Sequence, residues 1–289
     1  MAKVGVDESL LKSLMVLGSV IEARDAYTGG HVWRVSQYSK LLAEDIGMDI
    51  NGIFTAEIAG FIHDLGKVGV PDSILQKRGA LSDEEFKVMR THPVVGKEIM
   101  QVHPLSDLVL DGVAFHHERF DGGGYPGTHG GEELPIFSRI VSIADAFDAM
   151  TSTRSYRKGM ETEKAMSILE SEKDKQFDGK LTTSFIGLRR SNKFDGILGH
   201  ADENVELLKC PVCGPVIAPT QLHKDGDSVY CKPCGTEFQL HKKGDSFEPE
   251  PKKPAQGKIK PEADVCPIDR LISCFPKEIT LWPFKSSRV

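Results

Sequence analysis

Long apolar runs are missing from this 289-residue chain. No stretch approaches the ~18 uninterrupted apolar residues that a membrane-crossing helix needs, so no spanning segment is expected. The opening stretch LLKSLMVLGSVIEARD carries Lys12 and Glu22 and lacks a small-residue cleavage site, so it does not read as a signal peptide. A basic surplus is missing too. The formal net charge is −6, and residues 1–190 hold 22 Lys and Arg against 28 Asp and Glu. Such a body is not expected to grip a nucleic-acid polymer, although a small anion held by a few local cations or by metal ions stays open. Cysteine is scarce, six in all. With a cytoplasmic location expected, those six favour metal over disulfide chemistry.

What is present is an ordinary globular composition, 39% apolar and 27% charged, with room for one large domain and an appendage. Residues 8–190 read as consecutive helices without a convincing strand. Leu10, Leu14, Leu17 and Ile21 make an amphipathic stripe; His31, Val35, Tyr38 and Leu42 share another helical face. TAEIAGFIHDLGK reads as a helix ending near Gly66, with Pro71 blocking continuation. THPVVGKEIM places Thr91 as an N-cap and Pro93 in the first turn. RIVSIADAFDAM is apolar almost all round and should be buried. From Cys210 to His241 the texture turns to short β-like runs, SVYC and TEFQL, around a turn at Asp225-Gly226. After Gly244 it becomes Pro- and Lys-rich, which reads as a disordered linker running into a flexible tail, with docking of Leu281, Trp282 and Phe284 on a partner or on the main body as the alternative. The expected division is 1–190 for an all-α body, 205–245 for a small β-rich unit and 246–289 for linker and tail.

Five of the ten histidines, His31, His63, His92, His116 and His117, fall in the helical body beside unusual neighbours. His63-Asp64 sits at a helix end before Gly66 and Lys67. His92 opens a helix. His116-His117 begin HHERFDGGGYPG, where adjacent imidazoles aimed at one place need an irregular backbone that glycine supplies. Asp145 lies in a helix too apolar for an unpartnered carboxylate, whose burial alone costs several kcal/mol or more. A multivalent cation suits such a set, imidazole and carboxylate being ligands for iron, manganese, zinc or nickel. A hydrogen-bonded polar core is the alternative that the residues alone leave open.

The stretches YTGGHVWRV, HDLGKVGVPDSIL, HPVVGKEIM, HHERFDGGGYP, RIVSIADAFDAMTSTRSYR and FDGKL occur in this order over about two thirds of the chain. The body thereby resembles the HD-GYP domain, the bacterial branch of the HD phosphohydrolases that degrades cyclic di-GMP. The resemblance implies an HD-domain helical bundle and two divalent ions, iron or manganese. His31, His63, Asp64 and Asp145 would hold one; Asp64 would bridge to a second, held by His92, His116 and His117. Some relatives place a glutamate four residues before the first histidine for a third ion; Tyr27 stands there, which argues for two. Lys67 would lie near the scissile phosphate, Tyr125 against the dinucleotide, and Arg154 and Arg157 on a phosphate. By themselves those two arginines read as a solvated helix end. Glu118 and Asp121 are candidates for orienting the imidazoles. Metal-dependent hydrolysis of cyclic di-GMP to pGpG, with Asp64 and Lys67 as catalytic residues, is the expectation. A receptor without turnover and a hydrolase of another cyclic dinucleotide are the alternatives.

CPVCGP and CKPCGT give Cys210-x2-Cys213 and Cys231-x2-Cys234, a spacing that signals one structural zinc and resembles a zinc ribbon. So small a unit needs such a staple. Its segment is net acidic and poor in arginine, so a brace or a docking surface for a protein partner is expected rather than a nucleic-acid grip. Cys266 and Cys274 stay unassigned.

Overall fold

In the computed structural model, the described residues are 3–5, 7–24, 30–77, 79–152, 159–194, 197–198, 208–209, 216–217, 224–230, 236–244, 246–252, 272, 276 and 278–280. After a short strand β1 (Lys3–Gly5) the body is helical: α1 (Glu8–Arg24), α2 (His31–Asp45), α3 (Ile50–Ile62), α4 (Asp72–Leu75), α5 (Asp83–Met89), α6 (His92–Met100), α7 (Ser106–Phe115), α8 (Ile136–Thr151), α9 (Thr162–Ser171) and α10 (Gly179–Arg190). No helix among the described residues is long and apolar enough to cross a membrane.

α3 is the hub, buried from Phe54 to Ile62 and packed on α1, α2, α7 and α8. Asp49 starts it by accepting from the Gly52 N–H at 2.8 Å, which satisfies one of the donors a helix start leaves open. One apolar cluster lies where α2, α8 and α10 meet; there Tyr38, Phe147, Phe185 and Phe194 pack edge-on or tilted at 4.8–6.0 Å. Each such ring pair adds about 0.5–1.5 kcal/mol to the area it buries. The second cluster joins Leu11, Leu14, Met15 and Ile21 of α1 to Ile58, Phe61 and Val113. The inward face of α1 is therefore rotated from the expected stripe, and Leu17 is 41% exposed. The Phe61 ring lies against Gly18, where the missing side chain lets the two helices close up.

Two local boundaries differ from expectation. α3 ends at Ile62, four residues before Gly66, and a 3-10 turn over Leu65–Gly69 follows. Thr91 does precede α6, but its hydroxyl donates back to the Val88 carbonyl at 2.7 Å instead of capping.

Later in the chain, β2 (Leu208–Lys209) pairs antiparallel with β3 (Val216–Ile217), and β4 (Ser228–Tyr230), β5 (Glu237–Lys243) and β6 (Ser246–Pro251) form an antiparallel sheet in that order. Each C-x-x-C falls between two paired strands; Cys210, Cys213, Cys231, Cys234, Cys266 and Cys274 lie outside the described residues. The stretch expected to be a loose linker begins as strand β6, because six consecutive residues find partners on β5. The tail is also docked in part. Ile272 is buried in the α1 cluster and β7 (Glu278–Thr280) pairs with β1, so apolar burial and strand hydrogen bonds hold what composition alone reads as flexible.

Candidate active site

His31, His63, Asp64, His92, His116, His117 and Asp145 come together in the helical body. They arrive from the start of α2, the turn after α3, the start of α6, the end of α7 and the middle of α8. Two groups of donors form, His31–His63–Asp64 and His92–His116–His117, with ligand atoms within 4.8 Å of one another in each. Asp64 stands between them. Its Oδ2 lies 3.7 Å from His31 Nε2 and 3.3 Å from His63 Nε2, while Oδ1 faces His92 Nε2 at 3.4 Å. Asp145 Oδ1 closes the first group at 3.4 Å from His31 and 3.8 Å from His63.

The hydrogen bonds behind the rings decide what faces inward. His63 Nδ1 meets the Gly60 carbonyl at 2.7 Å, His92 Nδ1 the Met89 carbonyl at 2.8 Å, and His116 Nδ1 the Gly112 and Val113 carbonyls at 3.0 Å. A carbonyl only accepts, so each Nδ1 donates, and a ring in its neutral form then turns its Nε2 lone pair to the centre. Two such lone pairs, on His92 and His116, face each other at 3.1 Å. His63 Nε2 is fully buried and makes no hydrogen bond. Opposed acceptors and an orphaned buried nitrogen are a liability without a cation, and atoms about 2.1 Å from a shared ion stand about 3–3.5 Å apart. The donor set fits divalent ions and not a self-satisfied polar core.

Electrostatics agrees. Burial pushes His92, His116 and His117 below the ordinary imidazole value, the last to about 3, and neighbouring imidazoles push His116 and His117 further the same way. These rings are neutral and ready to ligate. Burial would raise Asp64, but Lys67, His63 and His31 hold it well below the ordinary carboxylate range. Asp145 is likewise held down against burial by His63 and His31. Burial would lower His31, yet hydrogen bonds to Asp148 and Asp64 and the charges of Asp148 and Asp145 raise it to about 9. Two of those carboxylates, Asp64 and Asp145, are placed to attract a divalent cation.

Sequence reasoning missed Asp148 and Arg34. Asp148 Oδ2 lies 2.7 Å from His31 Nδ1, and Arg34 forks onto the same carboxylate at 2.6 and 3.0 Å while donating to Ser152 Oγ at 2.9 Å. This buried His–Asp–Arg line orients His31 from behind. Asp148 is one turn from Asp145 on an apolar helix, and that spacing was the available signal. Glu118 and Asp121 orient a loop and not the imidazoles. Glu118 accepts from the Gly127 and Thr128 N–H groups and the Thr128 hydroxyl at 2.7–2.9 Å, and Asp121 accepts from Arg119 and the Gly123 N–H.

The loop after α7 is pinned at its base by Phe120 and Asp121 N–H bonds to the Gln176 and Lys175 carbonyls. Gly122 has φ +80°, and a side chain on Gly124 would collide with the backbone from His117 to Arg119. Tyr125 thus comes to stack on His117, ring centroids 4.7 Å apart and 29° between planes. Beside it opens a cavity of about 380 Å³, reached by His116, His117, Asp145, Tyr125 and Arg90. Lys67 Nζ pairs with Asp64 Oδ2 at 2.7 Å. Tyr27, Arg154 and Arg157 lie outside the described residues.

A helical bundle whose His-Asp turn sits among paired donor groups defines a class, and the chain belongs to the HD domain family, whose model matches residues 15–181. Among its relatives, it is 34% identical over 183 residues to the cyclic di-GMP phosphodiesterase response regulator RpfG of Xanthomonas campestris, covering 63% of this chain and 48% of that protein. It is 36% identical over 186 residues to a cyclic di-GMP phosphodiesterase of Thermotoga maritima, covering 64% and 50%. It is 37% identical over 184 residues to the 3'3'-cGAMP-specific phosphodiesterase 2 of Vibrio cholerae, covering 61% and 35%. The chain thus spans half or less of these relatives' lengths.

Proposed function

We propose that this chain is a metal-dependent phosphodiesterase that opens cyclic di-GMP to linear pGpG, with GMP as the product of a second cut. The observation that carries the reading is Asp64, whose two carboxylate oxygens face separate groups of imidazole nitrogens beside a cavity. His31, His63, Asp64 and Asp145 would hold one divalent ion and Asp64, His92, His116 and His117 the other, iron or manganese suiting these ligands. Such a pair supplies Lewis acidity and lowers the pKa of water near a phosphate. The chain's own residues do the rest. Water adds to phosphorus, the bond from phosphorus to the 3′ oxygen breaks, and a proton goes to that oxygen. Lys67, half-buried against Asp64, offsets charge growing on the phosphate. Asp148 and the backbone carbonyls keep the rings aimed. Tyr125 forms one wall of the substrate cavity. Arg154 and Arg157 complete the proposal as phosphate holders, since guanidinium forks match phosphate oxygens.

Residues 205–245 are proposed to be a zinc-stapled unit through Cys210, Cys213, Cys231 and Cys234, bracing the fold or docking a protein partner. The function is tested by incubating metal-loaded protein with cyclic di-GMP and separating the products. pGpG from the wild type, and none from Asp64→Asn, is expected. Tight binding without product, unaffected by that substitution, would instead make the chain a receptor.

A further inference from the structure

We infer that Phe86 and Arg90 form the subsite that reads a guanine base of the cyclic dinucleotide, an inference that rests on the reading above. α5 is short, seven residues, and unlike the other α-helices of the body it has no buried residue. It is held at its start by a reciprocal pair, the Ser82 hydroxyl accepting from Glu85 N–H and the Glu85 carboxylate from Ser82 N–H. It adds nothing to the core, yet it delivers Phe86 and Arg90 to the lining of the 380 Å³ cavity that His117 and Asp145 also line. Phe86 is 47% exposed there. An apolar ring left in water at a cavity rim is a stacking platform, and every base has a face to lay on it.

Arg90 is the second observation. Arg24, Arg34, Arg119 and Arg139 each face a carboxylate. Among the described residues Arg90 faces none; its guanidinium carbon lies 4.5 Å from the Tyr125 ring centroid and 6.0 Å from that of Phe86. A guanidinium laid over an aromatic ring is held in place while its in-plane N–H donors remain free. That planar fork matches the O6 and N7 acceptors of guanine, whereas adenine presents an amino donor where guanine has O6. Tyr125, besides lining the cavity, is the support that aims the fork.

The experiment compares kcat and KM of wild type, Arg90→Gln, Arg90→Lys and Phe86→Ala on cyclic di-GMP, cyclic di-AMP and bis(p-nitrophenyl) phosphate, which has no base. Arg90→Gln is expected to raise KM for cyclic di-GMP about ten- to hundred-fold and to lose at least ten-fold more there than on either other substrate. Arg90→Lys should lose similarly, because an ammonium keeps the charge and not the fork. Phe86→Ala should weaken both dinucleotides but not the base-free ester. Equal losses of Arg90→Gln on the two dinucleotides would make Arg90 a phosphate clamp, and equal losses on all three substrates would make it a prop for Tyr125; either overturns the inference. Should the wild type hydrolyse no dinucleotide, the functional reading fails by itself. Calorimetric binding of the two dinucleotides to wild type and Arg90→Gln then decides the subsite: a loss confined to cyclic di-GMP upholds it and an equal loss rejects it.

Discussion

Gly66 and the carbonyl of His92 meet with no room for a side chain between them: a Cβ on Gly66 would run into that oxygen and the Gly96 backbone nitrogen. The glycine two residues after Asp64 thereby seats α6 directly on the turn that carries His63 and Asp64. Gly66→Ala is expected to displace α6, cost about 1–3 kcal/mol by overpacking and pull His92 from Asp64. Elemental analysis of the purified variant should show the second ion lost and the first retained. Two retained ions at wild-type stability would refute this role for Gly66.

Asp148→Asn keeps the shape behind His31 and removes the charge that pairs with Arg34. Leaving a buried guanidinium without its carboxylate costs about 3–5 kcal/mol, and loss of the ring's support lowers affinity for the ion at His31 about 10–100-fold. Thermal unfolding and a metal titration read the two effects separately. A variant as stable as the wild type would show that Arg34 finds another anion.

Glu118→Ala strips the shared acceptor from the Gly127 and Thr128 donors. The expected stability loss is about 1–3 kcal/mol, and because this turn carries Tyr125, KM for the dinucleotide should rise more than kcat falls. Hydrogen exchange over residues 122–130 should quicken; unchanged exchange with unchanged KM would separate the carboxylate from the loop.

Asp111 sets a pH dependence. Burial raises its carboxyl from 3.8 to about 6, with His129 pulling weakly the other way. A carboxyl whose folded pKa is raised binds its proton more tightly folded than unfolded. Its destabilising effect is thus absent below pH ~3.8, grows between ~3.8 and ~6, and is complete above. Asp111→Asn should flatten stability over that window and stabilise the protein at pH 7 by about 1–3 kcal/mol, since one pKa unit is about 1.4 kcal/mol. Urea denaturation at pH 4, 5, 6 and 7 checks the sign; a variant less stable than the wild type at pH 7 contradicts it.

Much of the site was readable because its residue types are costly elsewhere. Paired histidines before glycines, and an aspartate inside an apolar helix, demand a partner, and the ordered stretches named the family. The supporting residues were not readable. Asp148 looks like any acidic residue near a helix, and only its distance to His31, 117 positions away in sequence, shows what it supports; Glu118 stands out beside the histidines, but only its bonds to Gly127 and Thr128 show that it holds the loop. Leu17 was misread because heptad-like spacing admits two neighbouring faces of α1, and Gly18 against Phe61 selects the one rotated toward Leu11 and Met15. Composition favours a loose tail over a docked one because it reports what a segment lacks for folding alone and not the edge of β1 that receives Glu278–Thr280.

By itself the order of amino acids determined where helices begin, which residues carry donor atoms and which loop needs glycine, since those follow from backbone sterics and side-chain chemistry within a few neighbours. The tertiary structure alone decided that Asp64 faces two groups of nitrogens and that Arg90 rests on Tyr125. Those relations depend on how helices distant in sequence pack, and packing is settled by the whole core at once.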